Sequence, residues 1–482
     1  MYHDQATYTS ESDAVREPLL DEKGTATVDV SADSPLPDDL TRESLTLPNP
    51  SEPEIARHYT RLSQMNWSID SGPYPLGSCT MKFNPSFTED VAADPNAAVH
   101  PARSDRSSQG ILEILYRLQD VLAEIGGMDA VTLQPPAGAA GELTGILVAK
   151  AYHEHHGTDR SEVVIPASAH GTNFATAATA GYDVVELPSG DDGRVDLDAL
   201  RAAVGEDTAA LMLTNPNTVG LFERDIAEIA DIVHDAGGLL YYDGANLNAL
   251  LGRGRPGDMG FDIMHYNVHK TFATPHGGGG PGAGPVGVTA ELADFLPAPR
   301  VRESTDSEGY ERFEPPESIG KVHGFHGNWL VLIKAYAYIA RLGDAGLSDA
   351  AAKAVLNANY LASQIDLAVP HGPFHHEFAA TAGDRDAADV AKRMLDFGVH
   401  PPTTKWPEMV PEAMLTEPTE IENKASLDDL AAAFNVAFGD DDERLDAAPS
   451  RTAASRIDQV GAARTPRLSW QALHETESST RD

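Results

Sequence analysis

The stretch YYDGANLNALLGRGRPGDMGFDIMHYNVHKTFATPHGGGGPGAGPVG, residues 241–287, decides the fold. An apolar run from Gly238 to Tyr242 reads as a buried strand that ends on Asp243. A second short apolar segment, Asp262 to Val268, ends on His269 and Lys270. A glycine-dense loop follows, then another strand-like run from Pro285 to Thr289. Ligands of an open α/β sheet sit outside the carboxyl ends of its strands. Asp243 and Lys270, at two such ends, can therefore face one crevice.

That pair has a specific chemical use. Pyridoxal phosphate (PLP) needs a lysine amine to hold its aldehyde. It also needs an anion against its pyridine nitrogen, so that the ring stays protonated and accepts electrons. Lys270 and Asp243 suit these two tasks. Small Ala245, two positions after the Asp, lets a flat ring lie close. His269 and Thr271 place a polar group on each side of the amine. The same glycines also spell a decoy. Gly282, Gly284 and Gly287 form GxGxxG, but that dinucleotide fingerprint follows a strand and opens a helix. Here Pro281 and Pro285 interrupt it and a strand follows, so the segment reads as a tight loop that brings backbone close to a ligand or subunit.

Upstream, Val131 to Leu133 reads as a strand, residues 135–141 as a turn of small residues, and Glu142 onward as a helix. Such a turn opening a helix is a natural phosphate cradle, because free N–H groups face the anion; Ala137, Gly138 and Ala139 would form it. His153, His155 and His156 mimic a metal cluster, but no Cys or carboxylate frame accompanies them. The strand Val163 to Pro166 leads into SAHGTNF, where His170 is either a capping histidine or a ring that stacks on PLP, with Thr172 and Asn173 as second candidates. Strand 183–187, helix 196–204, strand 209–213 and helix 225–236 continue the alternation. It predicts a mostly parallel sheet with helices on both faces. Asn215 is either an Asn-Pro turn starter or a donor to the phenolic oxygen of PLP.

Three blocks carry a family resemblance: YPLGSCTMKFNP (74–85), SAHGTN (168–173) and NVHKTFATPHGGGGPGAGPVGV (267–288). They closely resemble the P-protein of the glycine cleavage system, from about residue 51 to about 424. The length fits the second (β) subunit of its two-subunit form. The resemblance implies fold type I of the PLP-dependent transferases, aspartate-aminotransferase-like, with a large domain and a small C-terminal α/β domain. It implies a His170 stacked on PLP, a phosphate held at 137–139, and decarboxylation of glycine with transfer of the aminomethyl group to lipoylated H-protein. It further implies a homologous α subunit in an α2β2 assembly, with the loop 276–280 near a subunit boundary. Phe174 departs from the family, where proline is common, which affects loop detail.

The remaining expectations concern organisation. Residues 1–50 read as an acidic extension, 51–100 as an arm, 101–327 as the PLP-binding domain, 328–440 as the small domain and 441–482 as an acidic tail. Within them, Ser51 and Glu54 form a capping box for a helix to Gln64, and residues 110–126 form an amphipathic helix. Residues 301–318 read as irregular, 328–342 as a helix and the segment around His375, His376 and Glu377 as a strand rather than a metal site. Net charge is −39 with pI about 4.6, which repels nucleic acid and anionic membrane and suits a halophilic cytoplasm, where salt screens self-repulsion. No apolar run is long enough to span a membrane, and a single cysteine, Cys79, excludes an intrachain disulfide. Rival readings are another PLP enzyme, such as a decarboxylase or desulfurase, and a non-catalytic scaffold subunit; the retained Lys270 and Asp243 argue against the second.

Overall fold

The computed structural model describes residues 17–20, 23, 37–40, 48–99, 103–276, 282–305, 308–324, 327–452 and 455–469. Most of the expected N-terminal extension, the end of the acidic tail and loop residues 277–281 lie outside them. The chain forms two compact units, one of residues 1–68, 392–399 and 440–482, the other of residues 69–391 and 400–439. The first unit contains α1 (Glu52–Gln64). The Ser51 N–H donates to the Glu54 carboxylate at 2.7 Å, as the capping box requires.

The second unit holds a seven-stranded sheet: β1 (Ala130–Thr132), β2 (Glu162–Pro166), β3 (Asp183–Leu187), β4 (Thr208–Thr214), β5 (Leu239–Asp243), β6 (Ile263–His265) and β7 (Val286–Val288), in the order β1-β7-β6-β5-β4-β2-β3. Only β7 runs against the others. Its helices include α2 (Ser86–Ala92), α3 (Gln109–Gly126), α4 (Gly138–His155), α5 (Gly171–Thr179), α6 (Leu197–Ala203) and α7 (Ile226–Asp235). The central strands β4 and β5 are buried along their whole length because both faces of the sheet are covered there, whereas the edge strand β3 is largely exposed or half-buried. Leu240, Tyr242, Leu211 and Leu213 pack into one core with α3 and α7, while Tyr241, Leu239, Ala210 and Met212 pack into the other with α4. The alternation is the two-residue period of a strand.

Several expectations need correction. The segment 262–268 is a strand only over β6. Beyond it the N–H groups of Lys270 and Thr271 both turn back to the Asn267 carbonyl, at 2.9 and 3.0 Å. They close a single helical turn, α8 (Val268–Thr271). The helix expected from Glu142 starts at Gly138. The segment 301–318 contains a hairpin, β8 (Arg300–Glu303) with β9 (Tyr310–Phe313), whose strands are tied by Arg302 and Glu311. The helix expected to end at Leu342 does so: within α9 (Trp329–Gln364) the non-helical backbone of Gly343, φ 59° and ψ −175°, separates it from a second helix that follows. His375, His376 and Glu377 precede a strand rather than lie in one. The His375 N–H is drawn to the Gly220 carbonyl at 2.8 Å, and β10 (Phe378–Thr381) starts after them. β10 pairs with β12 (Ala413–Thr416), and β12 with β11 (Thr403–Thr404). Gly77 lies against this small sheet, donating to the Leu415 carbonyl at 3.1 Å. No described helix is long and apolar enough to cross a membrane.

Candidate active site

β5 carries Asp243 into the interior, where its carboxylate is buried. Oδ1 accepts from the Ala245 N–H at 2.9 Å, and Oδ2 from Asn173 Nδ2 at 2.9 Å. A Cβ on Gly244 would stand 1.8 Å from the His265 carbonyl, so the ends of β5 and β6 are pressed together. His265 Nε2 comes within 3.5 Å of Asp243 Oδ1. That ring is neutral, because burial drives its pKa down to about 4, and its Nε2 accepts from Asn267 Nδ2 at 2.6 Å.

α8 presents Lys270 to the same place. Among the described residues its amine has no hydrogen-bond or ion-pair partner. Its charge and that of Asp243 both act on His170 and on His265, so both groups lie near the same two rings. Buried Lys82 anchors the turn, donating to the Thr271 carbonyl at 3.1 Å, Asn248 Oδ1 at 2.8 Å and Glu420 Oε1 at 2.6 Å. His269 packs edge-on against His276, ring centroids 4.7 Å apart. Burial, then the Lys270 charge, lowers both pKa values, to about 3 and about 4.

His170 caps α5, its Nδ1 accepting from the Thr172 N–H at 3.2 Å. The residue is solvent-accessible; desolvation of the ring, and next the Lys270 charge, lower its pKa. Asn215 is fully buried. Its Oδ1 accepts from the Glu223 N–H at 3.0 Å, whereas its Nδ2 has no partner among the described residues. The Thr271 hydroxyl is likewise buried and unpartnered. Ala137 precedes the first turn of α4, and Gly138 and Ala139 open it. The first N–H groups of a helix have no internal acceptor. A Cβ on Gly138 would lie 2.2 Å from Asn267 Oδ1, and one on Gly284 would lie 2.1 Å from the Ala137 carbonyl. The glycine loop thus seats this helix end against the turn that carries Lys270. β7, not a helix, follows it, in keeping with rejection of the dinucleotide fingerprint.

The opposite side of the pocket comes from distant segments. Ser78 and Thr80 have left-handed φ of 62° and 47°, held by buried carboxylates. The Ser78 N–H donates to Glu377 at 2.8 Å, and the Thr80 N–H and hydroxyl donate to Glu417 at 2.8 and 2.6 Å. Burial pushes both glutamates up. Cys79 between them is raised to about 11 by burial and stays a neutral thiol. His376, Glu377 and Glu417 bring potential ligand atoms within 4.8 Å of one another. Their carboxylates already bind the 78–80 backbone, and the Lys270 charge acts on both. These bonds tie both glutamates to the loop. His153, from the other histidine group, is committed to the Ala209 carbonyl at 2.9 Å.

The residues fit PLP. Among the described residues there are an unpaired amine, a buried carboxylate, an unpartnered amide donor at Asn215 and the N-terminus of α4. Sequence reading missed Lys82, Glu142, His265, Glu377 and Glu417. Glu142 was reachable, since it lies one turn after the small-residue cradle, and so was His265, at the end of the strand before Lys270; Lys82, Glu377 and Glu417 meet the pocket only through tertiary contacts.

Residues 139–279 match the aminotransferase class-V family model, and residues 350–444 match the model described as glycine dehydrogenase, C-terminal domain. A crystal structure of glycine decarboxylase (P-protein) of the glycine cleavage system, in inhibitor-bound form, aligns with TM-score 0.72 at 24% identity, over 89% of this chain and 99% of that one. A cysteine desulfurase from Escherichia coli aligns at TM-score 0.58, over 81% and 99%. The chain has the fold type I architecture of the aminotransferases. Over 98% of its length and 99% of the relative's, it is 71% identical to the Halobacterium salinarum protein named "Probable glycine dehydrogenase (decarboxylating) subunit 2". A Thermoplasma volcanium protein of the same name is 53% identical, over 91% and 94%. The chain belongs to the glycine dehydrogenase (decarboxylating) subunit 2 family.

Proposed function

We propose that this chain is the PLP-carrying subunit of a glycine dehydrogenase (decarboxylating), releasing the carboxylate of glycine as CO₂ and passing the aminomethyl group to the lipoyl arm of H-protein. The observation that carries the reading is an unpaired Lys270 amine sharing a pocket with buried Asp243, in a chain of this family. PLP, when bound, supplies an aldehyde that takes up amino groups and a protonated ring that accepts electrons. Lys270 holds the aldehyde, with His269 and Thr271 flanking it. Asp243 keeps the ring nitrogen protonated, and Ala245 leaves room beside it. His170 covers one face of the ring, with Thr172 fixing the imidazole. Asn215 Nδ2 donates to the phenolic oxygen. The N–H groups at Ala137, Gly138 and Ala139 receive the phosphate.

The name subunit 2 implies a partner subunit. The proposal extends to a homologous α subunit in an α2β2 assembly, to lipoylated H-protein as acceptor and to a cytoplasmic location. Neither nucleic acid nor membrane is a partner for a surface of charge −39. The same charge is proposed as an adaptation to molar salt, under which thermal stability should rise from low to molar KCl. The deciding assay is glycine decarboxylation with lipoylated H-protein, with and without the co-expressed homologous subunit. Glycine-dependent exchange of labelled CO₂ supports the reading. Exchange with a larger amino acid in its place, or a chain that borohydride never fixes to PLP, refutes it.

A further inference from the structure

We propose that Glu142 is the positioning residue that sets both Asp243 and His170, reaching one through Asn173 and the other through Thr172. The inference rests on the cofactor reading above. Glu142 lies one turn into α4 and is 5% exposed. Its Oε1 is 2.9 Å from Thr172 Oγ1. Its Oε2 is 3.4 Å from Asn173 Nδ2 and 3.5 Å from Thr176 Oγ1. Asn173 Nδ2 is also the donor to Asp243 Oδ2, and Thr172 Oγ1 lies 2.8 Å from His170 Nδ1.

The Thr172 hydroxyl donates to Glu142 Oε1, and the Thr172 N–H donates to His170 Nδ1. Glu142 Oε2 accepts from Asn173 Nδ2 and Thr176 Oγ1. Thr172 and Asn173 are each held between Glu142 and one group of the site. Burial, and next the negative Asp243, push this carboxyl up to about 8. The charged and titratable groups that face it are Asp243 and Tyr241 from β5, Lys270 from α8 and, through Thr172, His170. One carboxyl thus braces both the residue that holds Asp243 and the residue that holds His170.

The test starts without cofactor. Nitrogen-15 NMR of the histidine rings should show the His170 signals held in Glu142→Gln and moved in Glu142→Ala. PLP titration follows. Gln fills the same space and keeps an oxygen to accept hydrogen bonds, so affinity should hold within about threefold, while Glu142→Ala should lose about tenfold or more. His170 signals unmoved in the Ala variant, or a Gln variant as weak as the Ala variant, overturn the proposal. A chain that binds no PLP in any form, with the His170 signals moved by Glu142→Ala, would sink the cofactor reading alone and leave the positioning role standing.

Discussion

Asp243 ends one strand and Lys270 follows its parallel neighbour, whereas Ser78, Thr80 and Lys82 are all held by glutamates hundreds of residues away. On the first side the defining bonds are short in sequence: Asp243 holds the N–H two residues on, and Lys270 sits in a turn closed by Asn267. On the second side they span 299 residues from Ser78 to Glu377 and 337 from Thr80 to Glu417. The strand-end side carries groups free to react. The looped side carries groups already committed to one another, which hold the reactive turn in place. The chemistry and the scaffold of one pocket therefore fail in different ways when altered.

The largest expected effect belongs to the strand-end side. Asp243→Asn should bind PLP but lower kcat by about 10²–10³-fold, the scale of losing one preorganised electrostatic partner. Glycine-dependent exchange and PLP titration on the same protein measure the two quantities. Near-normal exchange would remove Asp243 from the site and the contrast with it.

That contrast also explains what could be read in advance. Strand-helix alternation and the apolar runs before Asp243 and Pro166 are local patterns, and they predicted the parallel sheet and its ligand-facing edge. Lys270, Asp243, His170 and the 137–139 turn were visible because each follows a strand directly or after a short turn. Strand lengths were less legible. The 262–268 run looks uniform, but carbonyl capture by two successive N–H groups turns it into a helix after His265. Lys82 gave no signal at all, since a lone lysine in an irregular segment reads as solvated. Its partners Asn248, Thr271 and Glu420 become neighbours only in the folded chain.

Lys82 is the next place to press. Its side chain is 1% exposed and that of Glu420 9%. Removing one partner of a buried pair costs about 3–5 kcal/mol because the other charge is stranded. Lys82→Met should lower the urea midpoint accordingly and weaken PLP binding by loosening the Thr271 turn. The double variant Lys82→Met/Glu420→Leu should recover most of the stability. A single variant as stable as wild type would show that the looped side does not hold the site.

A smaller, pH-dependent effect tests the support behind Asn215. Glu223 is buried, accepting from the Val195 N–H at 3.2 Å and Asn217 Nδ2 at 3.2 Å. Burial pushes its carboxyl up to about 7. The folded state thus keeps a proton that the unfolded chain has lost. The resulting stabilisation is complete below the ordinary glutamate range and is lost as pH rises toward 7. Relative to Glu223→Gln, wild type should lose on the order of 2–3 kcal/mol across that window. Denaturant unfolding at pH 5 and pH 8 measures it, and parallel pH profiles for the two proteins would disprove the assignment.

The weakest effect comes from two glycines that look alike in the sequence. Gly138 and Gly171 each open a helix at the pocket, α4 and α5. A Cβ at 138 would meet Asn267 Oδ1 at 2.2 Å, and Asn267 is itself fixed by its bond to His265, whereas a Cβ at 171 would meet nothing within 4 Å. Gly138→Ala should therefore cost about 1–3 kcal/mol, as overpacking does, and should weaken PLP by moving the cradle. Gly171→Ala, free of any contact and at a helical position, should stabilise by no more than about 1 kcal/mol. Thermal melts of the two variants resolve the pair. Equal destabilisation would mean that the close approach of α4 to the Lys270 turn is not what makes glycine necessary at 138. The cradle would then be a local feature of the helix end, independent of the lysine turn.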